Sequence, residues 1–467
     1  MTTTAAGATP APAATDTDAA DAQRIPLSYN QEFLRAFDKG TTDGAFGHRH
    51  TLVCGWRVTG TVETTTLQRA LDDVVARHEI LRTRLAGDDE GGYQDIRPPL
   101  AVPLEIHTLS AGSADSAQRR DQAAEAFLND LDARPFDVRE LPHLRAALGR
   151  FDTTDAVLVL ATHHTSTDAW SLQVVMRDLA TAYAARAGAT EPAPAPAQYR
   201  EFTRWQHATT GSDRLERARA YWSQRLEGAH ITAVTSDRPR DEMLPSAYGV
   251  HRFVFDTALS TAVLEHAKAT RSTPFMVLAA AYSALLRERT GTTDIVFPTF
   301  SSGRYEERFA DSVGPFFNFV PLRIDTTGCT TLGQVLDRTR TACVGAYQHE
   351  IPFAHIAQDS PALLTPFADA RLAVIAFEVL QSAFPPDDHP AAGPRFTEIR
   401  HRTQSQTLSS AIPDGGLWAM DVLPGGQLAG SLKFDHHRFD EPTAAALVTR
   451  FGELLHTLAT APDTPLR

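Results

Sequence analysis

The chain has 467 residues and a formal net charge of −13, from 44 Lys and Arg and 57 Asp and Glu residues. This length suits two or three units of ordinary domain size, and a composition of 42% hydrophobic and 22% charged residues is globular rather than disordered or fibrous. The acidic balance argues against nucleic acid or an anionic membrane as a partner, because both attract basic surfaces.

Residues 1–24 are predicted to form a disordered leader, because Ala, Thr, Asp and Pro dominate them. The segment has neither the basic nor the apolar region of a signal peptide, and no later apolar run is long enough to span a bilayer. We therefore expect a cytoplasmic protein. Its three cysteines, Cys54, Cys329 and Cys343, are too scattered for a disulfide framework or a cysteine-rich metal site.

Hydrophobic periodicity predicts the first ordered elements. Ser28 is a candidate N-cap for a short amphipathic helix. Residues 50–60 then alternate as a strand, and residues 64–83 have the apolar spacing of a helix. Near its end, Arg82 could turn inward, and an inward arginine would need a carboxylate partner because a buried unpaired charge is too costly.

The stretch from Ala156 to Ser171 is the strongest functional signal. Its unbroken apolar start is typical of a strand buried on both faces, and this strand leads into His163, His164 and Asp168. Because adjacent strand residues point to opposite faces, one histidine can face a cavity while the other supports it. The same divergence argues against a zinc site, whose ligands must converge on one point.

A helix is predicted to start beside Asp168, because apolar residues recur at helical spacing after it. Helix starts carry unpaired backbone N–H groups. Ligands commonly bind where buried strands of α/β sheets end. We therefore predict the active site here rather than a set of satisfied core histidines.

Low-complexity residues 189–198 are predicted to link an N-terminal lobe, 25–188, to a C-terminal lobe, 199–467. Beyond the linker, periodicity predicts helices at 202–226, 259–288, 332–349 and 442–458. The first is broken near Gly211 and the second is interrupted at Ser272-Thr273-Pro274. Strands are predicted at 251–255, 294–300, 372–380 and 417–434, the last being a hairpin that turns at Pro424-Gly425-Gly426. Since strands and helices alternate in both halves, the expected fold is an α/β sandwich in two lobes.

Two features of the second half have alternative interpretations. Asn318 stands among aromatic residues and could be a buried structural amide or could face a substrate. A basic stripe on the helix after Gly211 could be a solvated face or a landing site for an acidic partner; it consists of Arg214, Arg217, Arg219 and Arg225.

The sequence resembles the condensation domains of nonribosomal peptide synthetases, within the chloramphenicol-acetyltransferase-like superfamily. The signature HHxxxDxxS appears as His163-His164-Thr165-Ser166-Thr167-Asp168-Ala169-Trp170-Ser171. Two further motifs precede the signature, at 27–31 and 77–83, and three come after it, at 199–205, 313–323 and 348–353; all stand in the order typical of the family. The departures are Ala169, which replaces the usual glycine, and Pro315, Phe317 and Phe319 around Asn318.

This resemblance implies two acyltransferase-like lobes in a V with a tunnel between them. By this resemblance the catalytic residues are His163, His164 and Asp168. His164 is expected to face the tunnel, and Asp168 to form a structural ion pair with Arg82. Supporting residues are expected at Ala169, Trp170, Ser171, Arg304 and Asn318.

The implied reaction is transfer of a carrier-tethered aminoacyl thioester to an amine or hydroxyl acceptor, which is either a small molecule or carrier-bound. No metal or bound cofactor is expected, since the donor arrives on the phosphopantetheine arm of a separate carrier protein. The chain carries neither an adenylation signature nor a carrier motif, so a free-standing enzyme of secondary metabolism is expected. The alternatives are an acyl-CoA or polyketide-associated acyltransferase, and a catalytically silent recruitment domain; no oligomeric state is predicted.

Overall fold

A computed structural model describes residues 24–38, 44–88, 91–112, 116–188, 191, 194–241, 243–380, 393–412 and 414–466. The leader predicted at 1–24 lies outside the described residues except for Arg24, as do positions 189–190 and 192–193 of the predicted linker.

The first half contains short strands, one central sheet and two long helices that pack together. Its strands are β1 (Ile25–Pro26), β2 (Thr51–Thr59), β3 (Thr83–Asp88), β4 (Gly91–Ile96), β5 (Leu104–Thr108), β6 (Leu144–Arg150) and β7 (Asp155–His163). Its helices are α1 (Tyr29–Ala36), α2 (Thr64–Arg77), α3 (Ala117–Asp132) and α4 (Ala169–Arg186). The N-cap predicted at Ser28 is confirmed, because its side chain accepts from the N–H of Gln31 and Gln31 returns a bond to the N–H of Ser28.

In the described residues, the second half forms three further sheets and carries the remaining helices. Its strands are β8 (Val234–Thr235), β9 (Tyr248–Val254), β10 (Asp294–Ser301), β11 (Asn318–Asp325), β12 (Leu372–Ala373), β13 (Ile375–Leu380), β14 (Arg395–Glu398), β15 (Gly416–Val422) and β16 (Leu428–Asp435). Its helices are α5 (Tyr199–Ala208), α6 (Asp213–Arg225), α7 (Thr257–Ala269), α8 (Pro274–Thr290), α9 (Leu332–Gln348), α10 (Phe353–Asp359) and α11 (Glu441–Thr460).

Two sheets position the site. The first has the order β14-β2-β7-β6-β5, and its central strand β7 runs antiparallel to both neighbours. The second has the order β13-β15-β16-β9. Strand β14 belongs to the second half of the chain but pairs with β2 of the first sheet, so the two halves share hydrogen-bonded structure.

The mixed α/β fold predicted from the alternating pattern is confirmed. The hairpin turn at Pro424-Gly425-Gly426 joins β15 to β16 as predicted. The prediction of one helix over 64–83 is wrong at its end, because α2 stops at Arg77, His78 is extended and residues Glu79–Arg82 form a 3₁₀ turn. The lobe boundary at 189–198 stays a prediction.

A long loop, residues 302–317, joins the antiparallel strands β10 and β11 and crosses onto the first half. We call it the crossing loop. The indole N–H of Trp170 donates to the carbonyl of Ala310 at 3.0 Å, and the amide of Asn30 donates to the carbonyl of Phe316 at 2.9 Å. The two halves of the chain therefore meet through this loop.

Within the described residues, no helix is both long and apolar enough to cross a bilayer. The cytoplasmic location stays a prediction.

Gly303, at the start of the crossing loop, should tolerate no side chain. Its φ is 62°, and a Cβ there would lie 1.8 Å from the carbonyl oxygen of Phe316. We expect Gly303→Ala to lower the free energy of unfolding by roughly 2–5 kcal/mol, from the left-handed backbone plus the steric overlap. Thermal and urea denaturation would measure this.

Gly328→Ala is the matched control. Gly328 has φ 74° but has nothing within 4 Å of its Cβ position, so this variant should lose only about 1–2 kcal/mol. Equal losses in the two variants would contradict the close approach at Gly303.

Candidate active site

A cavity of about 840 Å³ lies between the first and second sheets. Its wall includes His164 at the end of β7, residues of β2, Phe317 of the crossing loop, and side chains from β13, β15 and β16. A cavity of this size fits a drug-sized substrate. Because both halves supply its wall, the site depends on how they pack.

His164 lies on the cavity wall, and its ring is sandwiched between aromatic neighbours. It stacks on His50 with ring centroids 4.7 Å apart and meets Phe317 edge-on at 4.9 Å. Its backbone N–H donates to the carbonyl of His50 at 3.0 Å. The imidazole is therefore held on two sides, and its Nδ1 atom is buried without a hydrogen-bond partner.

His163 points away from this cavity. Its Nε2–H donates to the carbonyl of Gly47 at 3.0 Å, while Nδ1 accepts from the hydroxyl of Thr165 at 2.9 Å. With both ring nitrogens occupied and the ring fully buried, His163 has no atom left for a substrate. It supports the strand end that carries His164.

Burial keeps these histidines neutral. Desolvation, followed by the charge of His143, lowers the pKa of His163 to about 3. Desolvation also lowers the pKa of His164, although backbone hydrogen bonding and the charge of Asp168 partly oppose it. An imidazole with a lowered pKa is unprotonated at neutral pH and can accept a proton.

Asp168 borders the cavity, and its carboxylate serves as a structural anchor because protein donors occupy both of its oxygens. It is the N-cap of α4, with its carboxylate accepting from the N–H of Ser171 at 2.7 Å. The same carboxylate accepts from Arg304 at 2.9 Å and from the N–H of Phe316 at 3.1 Å. One buried carboxylate therefore caps a helix and binds both ends of the crossing loop.

Ser171 and Arg304 complete this anchor. Ser171 Oγ donates to the carbonyl of Gly314 at 2.8 Å and accepts from the guanidinium of Arg304 at 3.0 Å. The Arg304 side chain is only 4% exposed and also packs on the ring of Phe316. Arg304 supplies the positive charge that a buried Asp168 requires.

The expected pairing of Asp168 with Arg82 is wrong. Arg82 is the last residue of the 3₁₀ turn after α2, and its guanidinium donates to the carbonyl of Arg97. Two other residues of the 77–83 motif do contact a carboxylate on α4: Arg77 lies 2.6 Å and His78 2.9 Å from the carboxylate of Asp178. Because α2 ends early, Arg82 faces the β3–β4 hairpin rather than the site.

The remaining expected site residues divide into two groups. Ala169 and Trp170 lie on the cavity wall at the start of α4. Asn318 does not, since its amide donates to Glu350 at 3.0 Å and to the carbonyl of Ile351, and its oxygen accepts from the N–H of Phe353. Of its two interpretations, the structure therefore supports the buried structural amide.

Several cavity residues were not anticipated from the sequence, namely His50, Glu378 and Lys433. His50 directly precedes β2, which pairs with the strand ending at His163, so a strand-pairing prediction could have identified it. Glu378 is the single charge in its apolar strand, and Lys433 shares β16 with Asp435; the alternation of polar and apolar residues does not show that either lines a cavity. Within the described part of the chain, no group of three or more His, Cys, Asp or Glu side chains could hold a metal ion.

Sequence comparison gives one family over nearly the whole chain. The family model for the Condensation domain matches residues 22–467. The dimodular nonribosomal peptide synthase of Bacillus subtilis is 29% identical over 462 residues, which cover 94% of this chain and 18% of that protein. Chondramide synthase cmdD of Chondromyces crocatus is 32% identical over 343 residues, 71% of this chain and 8% of that one. The chain thus spans less than a fifth of the length of these curated relatives.

Solved structures of similar length also match. The SgcC5 protein of Streptomyces globisporus, crystallised with (R)-(-)-1-(2-naphthyl)-1,2-ethanediol and sucrose, is 40% identical with a TM-score of 0.89, covering 94% of this chain and 100% of that chain. The X-domain from teicoplanin biosynthesis is 24% identical with a TM-score of 0.76, covering 95% and 97% of the two chains. The second likeness concerns the fold alone.

Asp168→Ala and Arg304→Ala should each lower the free energy of unfolding by about 3–5 kcal/mol, because each leaves the other charge buried and alone. The double variant should lose less than the sum of the two. Urea denaturation of the four proteins measures this coupling. Additive losses would contradict a direct pair.

Arg82→Ala provides the control cycle. Combined with Asp168→Ala it should give losses that add within about 0.5 kcal/mol, because the two side chains share no contact. A large coupling here would restore the pairing implied by the resemblance.

Proposed function

The chain belongs to the condensation-domain family, and we propose that it catalyses condensation in trans. In this proposal it transfers an acyl or aminoacyl group from a thioester on a separate carrier protein to an amine or hydroxyl acceptor, forming an amide or an ester in natural-product biosynthesis. The observation that carries the proposal is His164, a neutral imidazole held on the wall of a substrate-sized cavity.

His164 is proposed as the group that positions and deprotonates the acceptor. The acceptor oxygen or nitrogen attacks the thioester carbonyl carbon, and the imidazole takes the proton that it releases. Collapse of the tetrahedral oxyanion breaks the C–S bond, and the proton passes to the leaving thiolate. The thioester is already activated, so no covalent enzyme intermediate is needed.

The start of α4 offers a candidate donor for the oxyanion. The carboxylate of Asp168 occupies the N–H of Ser171, whereas Ala169, two residues before Ser171, lies on the cavity wall. We propose the N–H of Ala169 as this donor, at the positive end of the helix dipole.

A hydroxyl acceptor has specific support. The SgcC5 protein, 40% identical to this chain, was crystallised with an aromatic diol. A hydroxyl needs a general base, because it is not ionised at neutral pH, and the lowered pKa of His164 supplies an unprotonated one. We therefore propose an ester bond as the preferred product.

The carrier protein is proposed to approach α6. Of the basic stripe on this helix, Arg219 binds Asp359 at 2.6 Å and Arg225 donates to the carbonyl of Arg323. Arg214 and Arg217 are exposed. We retain these two as the landing residues for an acidic carrier, since exposed charges steer encounter.

His164→Ala should lower the rate with a hydroxyl acceptor by about 10²–10⁴-fold, because it removes the general base. An amine acceptor should lose less, because part of it is already neutral. In the native enzyme, the rate with a hydroxyl should persist below about pH 6.5, the ordinary histidine value, since burial lowers the pKa of His164. Steady-state pH profiles with both acceptors measure this.

A folded His164→Ala variant with an undiminished hydroxyl rate would exclude His164 as the base. A rate that falls on acidification with a midpoint above pH 6.5 would contradict the lowered pKa of His164.

Carrier dependence can be tested with one acyl group presented in three ways: on a carrier protein, on a short pantetheine mimic and on CoA. We expect the highest kcat/KM with the carrier, because it adds docking contacts to the same thioester. The double variant Arg214→Glu/Arg217→Glu should lower the ratio of kcat/KM with the carrier to kcat/KM with CoA about tenfold.

The matched control is Arg289→Glu/Arg371→Glu, which reverses the same charge at two other exposed arginines. It should leave the carrier advantage unchanged. Equal kcat/KM with carrier and CoA would contradict the tethered donor and favour an acyl-CoA acyltransferase. Equal effects of the two double variants would contradict only the landing site.

A further inference from the structure

One face of the second sheet forms a wall of the cavity, and its register places charged side chains there. Glu378 of β13 pairs with Ala419 of β15, which pairs with Ser431 of β16, which pairs with Arg252 of β9. Side chains two residues apart share a face, so Lys433 of β16 points the same way as Ser431. All five residues line the cavity.

The other charged side chains in this cavity have partners within the chain. Arg400 binds Asp421 and lies 3.9 Å from Glu398. Lys433 Nζ donates to Ser410 Oγ at 2.7 Å. The remaining contacts are those of Glu398 with Gln173, Asp414 with Arg240, Asp132 and Arg252 with Gln406, and Arg402 with Asn129.

Glu378 differs, because the described part of the chain offers its carboxylate neither a hydrogen bond nor an ion pair. Lys433 is the nearest positive charge in register, two strands across and two residues along, which places the Cα atoms about 12 Å apart. Between them lie Leu417 and Ala419, which cannot bridge the gap. Ala419 and Ser431 are small and leave open space beside the carboxylate.

An unpaired carboxylate in a desolvated cavity is costly. Burial raises the pKa of Glu378 to about 7, and the field of Lys433 opposes this only partly. Asp421 and Arg252, on the same face, have their own partners. A cation entering the cavity would therefore stabilise Glu378 as a carboxylate.

We propose that Glu378 binds an ammonium group of the substrate, so that the enzyme selects an amine-bearing substrate. This inference rests on the proposed function. The ammonium could belong to an aminoacyl donor or to a part of the acceptor that does not react. In either case the carboxylate accepts from a charged donor inside a low-dielectric cavity, where such bonds are strongest.

The first test measures binding without turnover. Isothermal titration calorimetry at pH 7 compares the phenylalanyl and 3-phenylpropionyl thioesters of N-acetylcysteamine as donors, and 2-amino-1-phenylethanol with 1-phenyl-1,2-ethanediol as acceptors. In at least one pair the amine-bearing ligand should bind about 10–100-fold more tightly to the native protein. Which pair shows the preference identifies the source of the ammonium.

The amine of 2-amino-1-phenylethanol is already an ammonium at pH 7, so its binding should release about half a proton per site, because Glu378, with a pKa of about 7, is about half protonated beforehand and becomes fully ionised. Titrations in buffers of different ionisation enthalpy detect this release. Glu378→Gln should abolish both the proton release and the preference for the amine while leaving the des-amino ligand unaffected. Glu398→Gln, the same substitution at a cavity carboxylate that already has partners, should leave the preference intact.

No amine preference and no proton release in the native protein would overturn the proposal, whether or not the variants fold. Equal weakening of both ligands in Glu378→Gln would also overturn it. The proposed condensation in trans is tested by a different experiment, turnover with carrier-bound donors. The two proposals can therefore fail independently, because calorimetry measures binding without any reaction.

Discussion

The buried ion pair between Asp168 and Arg304 is the interaction on which the site depends. Asp168 caps α4 and at the same time binds the two ends of the crossing loop. Burying a carboxylate and a guanidinium is favourable only when most of their hydrogen-bonding positions are filled. Here Ser171 and backbone groups add to the pair, while the Nε–H of Arg304 is left without a partner among the described residues. The pair thereby orients the crossing loop, and Phe317 at its end packs against His164.

The histidines show how one strand end can separate a reactive group from its support. His163 and His164 are neighbours in sequence, yet one is fully hydrogen-bonded in the interior and the other lines the cavity. His143 extends the buried side, where its Nε2–H donates to the carbonyl of Val138. Burial keeps this cluster neutral, so the neighbouring histidines His143 and His163 add no positive charge beside His164.

The cavity combines a reactive strand end from the first sheet with a charged face from the second. In the second sheet, small residues on β15 and β16 keep the centre of that face open, while Glu378 and Lys433 stand on either side. The proposed base and the proposed ammonium site therefore lie on different sheets. Such a division lets the charged face vary without disturbing the strand that carries His164.

The sequence by itself determined the alternation of strands and helices, the cap at Ser28, the hairpin at Pro424-Gly425-Gly426 and the opposite orientations of His163 and His164. Each follows from local periodicity, turn chemistry or strand geometry. Only the tertiary structure decided the partner of Asp168, because Arg304 lies 136 residues away and the early end of α2 turns Arg82 aside. It also decided that Asn318 is structural and that Glu378 enters the cavity, since strand register and the packing of two sheets depend on contacts between distant parts of the chain.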